Sequence, residues 1–146
     1  MEATRRTTAE PARLGDPGTQ RAFGRAKFLV AAYGALSSAV LAAVAVRALT
    51  GHPVTSFLWG RSAGVLASAA VTYWLTVLAA RGARWAFLRV RLVSVVMPVA
   101  IVGVDLIPGV CPAWFVLAQA TCALAVGAAA CVVHGPLLRA AFRRAR

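Results

Sequence analysis

Asp105 has the most chemistry to offer in this chain. It is the one acid set inside an apolar run, Arg89 to Gly109 (RVRLVSVVMPVAIVGVDLIPG). The sequence holds four acids in all, and the other three (Glu2, Glu10, Asp16) precede the first apolar stretch. A carboxylate in such surroundings calls for a cation, because burying a charge is costly and the negative end of its own helix adds to that cost. Three polar residues are expected at the same depth. Arg47 and Arg61 each stand about one turn from the end of a hydrophobic segment, and Gln119 stands nearly two turns into another. Two uses of such a cluster stay open. Asp105 pairs with Arg47 or Arg61 to set helix register, or the group forms an outward-facing polar site for an ion or small solute, as intramembrane ionisable residues often do.

Other chemistry is nearly absent. His52 and His134 are expected on opposite sides of the membrane, so no catalytic or metal-ligating pair is expected. Cys111, Cys122 and Cys131 give no CxxC and no Cys/His spacing suited to zinc. No glycine-rich phosphate loop is present. The expectation is a protein that is not an enzyme and needs no cofactor or metal.

The elements that must position these residues follow from hydropathy. The chain is 60% hydrophobic, too apolar for a soluble domain of this length. Four apolar segments stand out, at about 28–49, 57–80, 86–107 and 113–133, each near the ~20 residues that cross ~30 Å of hydrocarbon as helix. Backbone groups in lipid must be satisfied within the segment, which leaves helix as the solution. Short links make neighbours antiparallel. The fold class expected is all-α, a four-helix transmembrane bundle of two antiparallel hairpins.

Charge sets the orientation. The net charge of +12 would suit nucleic acid, but the arginines flank apolar runs instead of forming a face, so no nucleic-acid partner is expected. Fourteen of the sixteen basic residues fall in the N-terminal tail, around the second link, or in the C-terminal tail. Arg47 and Arg61 are the exceptions. That bias places both termini in the cytoplasm and the chain in the plasma membrane as a multi-pass protein, its first span uncleaved. Residues 1–27 read as a disordered basic tail. Residues 134–146 read as a second basic tail. In it, Leu137, Leu138, Ala141 and Phe142 alternate with arginines, either as a short amphipathic helix drawn to anionic lipid at the cytoplasmic face or as a frayed end.

Helices in lipid meet through small residues. The stripes expected to face inward are Ala31, Ala35, Ala39 and Ala43; Gly64, Ser68, Thr72 and Thr76; and Gln119, Ala123, Gly127 and Cys131. Arg47 extends the first by four residues. Arg91, Pro98 and Asp105 recur every seven residues on one face of the third segment, with a kink expected at Pro98.

The four-span plan, the Arg/Ala-rich flanks and the RLVSVVMPVAIVGVDLIPG run resemble uncharacterised small four-span integral membrane proteins of actinobacteria. The resemblance implies the architecture and no activity. Small multidrug-resistance exporters also span four times, but they depend on a glutamate in the first span, and Phe28 to Leu49 contains no acid. The expected function is a non-enzymatic accessory or scaffold protein, associating with itself or another membrane protein. The alternative is a small transporter or transporter subunit built around Asp105.

Overall fold

The computed structural model describes residues 11–143. A short helix, α1 (Pro11–Leu14), precedes four long ones: α2 (Pro17–Leu49), α3 (Ser56–Ala80), α4 (Arg84–Asp105) and α5 (Ala113–Val133). A final short helix, α6 (Pro136–Ala141), ends the fold. The long helices pack in a ring in which α2 touches α3 and α5, and α4 touches α3 and α5. All four are long and apolar enough to cross a membrane. The molecule is an all-α four-helix bundle.

Local sequence explains the helix ends. Asp16 caps α2, its Oδ2 accepting from the Thr19 amide at 3.1 Å, with Pro17 in the first helical position where no amide is missed. Thr55 caps α3 through the Leu58 amide. Gly51 and Gly82 lie at φ +78° and +96°, just past the ends of α2 and α3. That left-handed turn lets His52 N–H reach the Arg47 carbonyl, and Ala83 N–H the Leu78 carbonyl, satisfying groups the helix leaves open.

The buried seams follow a heptad. In α2 the seam is Phe23, Ala26, Val30, Tyr33, Ser37, Val40 and Val44; in α3 it is Leu58, Ser62, Val65, Ala69, Thr72, Thr76 and Ala79. In α5 it is Phe115, Gln119, Cys122, Val126, Ala129 and Val133. Alternating steps of three and four residues drift only about 20° per heptad, so each seam stays on the axis of contact.

The small-residue stripes behave otherwise. Steps of four residues rotate by about 40° each, so a stripe built from them crosses the seam and leaves it. Gln119 and Ala123 are buried, Gly127 is half-buried and Cys131 is exposed. Thr72 and Thr76 are buried while Gly64 is exposed. Ala31, Ala35 and Ala39 are exposed outright, which corrects the expectation that they form the packing face of α2.

The N-terminal tail needs correction as far as it is described, and the C-terminal segment takes its short-helix alternative, as α6, on a different surface from the one expected. The disordered tail expected to residue 27 gives way at Pro17 to helix continuous with the first long segment. The reason is burial: Phe23 and Ala26 pack in one cluster with Leu138, Ala141 and Phe142. Phe142 stacks on Phe87 at 4.2 Å and meets Phe23 edge-on at 6.2 Å. The apolar side of the C-terminal segment thus covers the end of the bundle instead of lying free on a leaflet, and Leu137 alone of its large apolar side chains stays exposed. The parts of both tails at residues 1–10 and 144–146, with Glu2 and Glu10, lie outside the described residues.

Candidate functional site

At the end of the bundle away from α1 and α6, α3 begins and α4 finishes. Arg61 sits on the second turn of α3 and Asp105 is the last residue of α4. Their antiparallel packing brings Arg61 Nη2 to 2.9 Å from Asp105 Oδ1. The same nitrogen donates to the Ile101 carbonyl at 3.0 Å, so one Nη bridges side chain and backbone of the last turn of α4. The contact is through one nitrogen and not the two-pronged fork an arginine can make. Both side chains are largely shielded, with 12% of Arg61 and 7% of Asp105 exposed. The arrangement neutralises Asp105 and offsets the negative end of α4.

Arg47 does not join them. Its guanidinium lies over the Trp114 ring, 5.2 Å from the centroid, a cation–π contact that ties the last turn of α2 to the first of α5. The expectation of Arg47 in the inward cluster rested on the i+4 stripe, and the same rotation that exposes Ala39 carries Arg47 to the side where α5 begins. Arg61, and not Arg47, is the cation that reaches Asp105.

Gln119 is inside the bundle, fully buried, yet neither Nε2 nor Oε1 has a hydrogen-bond partner. It makes no hydrogen bond to Arg61 or Asp105, so the four residues expected to converge divide into a pair, a ring contact and a lone amide. Arg61 Nε, Arg91 Nε and Trp114 Nε1 are likewise buried without a partner, whereas the buried hydroxyls are satisfied locally. Ser37, Ser62, Thr72 and Thr76 each donate to the carbonyl four residues back in their own helix. Tyr33 and Ser68 hydroxyls are 2.8 Å apart, joining α2 to α3. Tyr33 carried no signal in the sequence beyond being a tyrosine in an apolar run.

Pro98 lies inside α4, which continues through it to Asp105. Lacking an amide hydrogen, Pro98 leaves the Ser94 carbonyl without its usual helical donor. Cys111, in the link from α4 to α5, is half-buried near the ion pair. Burial raises its thiol above the ordinary value, the Asp105 carboxylate raises it further, and Arg61 offsets part of this. Among the described residues no three His, Cys, Asp or Glu side chains gather where a metal could bind.

Fold and site together define a multi-pass membrane protein of four helices, closed at one end by an ion pair. Comparison with known protein families, with curated proteins and with solved structures finds no match to this chain.

Proposed function

We propose that this chain is a plasma-membrane protein with both termini cytoplasmic, acting without catalysis as an accessory or scaffold protein through helix–helix association. The observation that carries the reading is the closure of Asp105 against Arg61 at 2.9 Å. A solute site would keep its carboxylate open to the solute, whereas this one is held by the fold. Unused small-residue surface supports the same reading. Gly60, Ala63, Gly64 and Ala67 lie exposed along α3, and a methyl group added at either glycine would meet nothing within 4 Å. Such a surface lets a second helix approach closely. The partner is a second copy or another membrane protein.

The test is isolation of the tagged chain from native membranes in mild detergent. A stoichiometric helical partner is expected, and Gly60→Leu with Gly64→Leu should release it while leaving the bundle folded. A wild-type chain that runs as a partnerless monomer would overturn the reading.

One observation favours the transporter alternative: the buried, unpartnered amide of Gln119, which would suit a polar passenger. On that reading Gln119→Leu and Asp105→Asn abolish flux in reconstituted vesicles. On the accessory reading neither has a flux to lose.

A further inference from the structure

The end of the bundle that carries α1 and α6 holds a second polar constellation, built from four arginines. α6 packs against α2 and the end of α5, and between it and α4 lies a cleft of about 690 Å³, open on one side. Arg84 and Arg91 line it from α4; Arg139 and Arg143 line it from α6 and the residues just beyond. The stacked rings of Phe87 and Phe142 form part of its apolar wall.

Four guanidinium groups in one cleft repel each other unless an anion joins them. Among the described residues none of the four has a carboxylate partner, since Asp105 is paired at the opposite end and Asp16 caps α2. Arg91 adds an independent sign. Its Nε is buried without a hydrogen-bond acceptor, while its guanidinium lies 5.8 Å from the Phe87 ring centroid. The aromatic contact orients the group and the cleft leaves its donor unmatched. A buried charged donor of this kind is costly until an acceptor arrives. Guanidinium groups match the tetrahedral oxygens of phosphate in charge and geometry, and several together clamp one.

We infer that the cleft between α4 and α6 is a binding site for a phosphate-bearing anion. Arg91 and Arg139 grip the phosphate from opposite walls, and Arg84 and Arg143 complete the charge. The phosphate can belong to an anionic phospholipid headgroup or to a soluble phosphate ester. Leu88 on α4, which lines the cleft and is 52% exposed, gives an acyl chain a surface to follow in the lipid case.

The test uses the full chain in neutral detergent, followed by native mass spectrometry and thermal unfolding. Three probes are titrated: a short-chain phosphatidylglycerol, a short-chain phosphatidylcholine, and glycerol phosphate. The expected result is one saturable adduct per chain with a raised Tm. If phosphatidylglycerol alone gives it, the occupant is an anionic lipid; if glycerol phosphate gives it with similar affinity, the occupant is a soluble phosphate. Arg139→Gln, on an exposed position, and Arg91→Gln should each weaken binding by at least about tenfold, as loss of a charge-assisted hydrogen bond does. Arg89→Gln, one step from the cleft and set over Trp85, should not. The inference is overturned if no anionic probe saturates at one per chain. It is equally overturned if phosphatidylcholine matches phosphatidylglycerol, or if Arg89→Gln weakens binding as much as Arg139→Gln, the mark of diffuse charge without a site.

Discussion

Gln119 and Asp105 show how differently two buried polar side chains can be treated within one bundle. Asp105 has a cation at hydrogen-bonding distance, while Gln119 has neither a donor nor an acceptor. An unmatched buried polar group costs about 1–3 kcal/mol, and leucine fills a similar volume. Gln119→Leu should therefore raise the unfolding free energy by about that amount, measured in detergent by denaturant titration; a loss of stability would mean that the amide has a partner. The Asp105 carboxylate also acts on its neighbour Cys111. Replacing it by asparagine removes an anion that raises the thiol and leaves Arg61 to lower it, so more thiolate is present at any pH below the thiol's midpoint. Asp105→Asn should speed maleimide labelling of Cys111 a few-fold near neutral pH, with the difference vanishing in strongly alkaline buffer. Unchanged labelling rates would separate the two groups.

At the scale of elements, the docking of α6 decides whether the terminal end is closed. Phe142 is 6% exposed and stacked on Phe87. Phe142→Ala should cost about 3 kcal/mol, the lower range for an aromatic core truncation. Where local opening is fast, that speeds tryptic cleavage after Arg139 by about a hundredfold; an unchanged rate would mean that α6 is held by something other than its rings. This docking was hidden in the sequence. Leu138, Ala141 and Phe142 announced an apolar side, but an apolar side fits lipid as well as protein, and only the helical start at Pro17 supplies Phe23 as the surface to meet. The helices themselves were legible because length and hydropathy alone define them. The faces were not. Alanine is so common here that i+4 stripes arise beside the true heptad seams, and a stripe that rotates by 40° a step points at the seam only in passing. Asp105 could be assigned an arginine from depth alone, whereas the choice of Arg61 over Arg47 depends on rotation about two helix axes.

For the whole molecule, most of the surface must face something apolar. Between 22% and 33% of the most apolar window of each long helix is buried inside the protein, and Phe28, Leu92, Val99, Leu117 and Leu124 are all more than 60% exposed. In water that surface would aggregate; in hydrocarbon it is at rest. The proposed orientation rests on charge: fourteen of the sixteen basic residues fall, along the sequence, in the two tails or around the link between α3 and α4. The most direct test is cysteine accessibility in intact cells, with Cys111, Cys122 and Cys131 replaced by serine or alanine. His52→Cys, in the link between α2 and α3, should react with a membrane-impermeant maleimide at once. Arg81→Cys, between α3 and α4, should react only after the membrane is permeabilised. Labelling of both in intact cells, or of Arg81→Cys alone, would contradict the four crossings and the orientation on which the account rests.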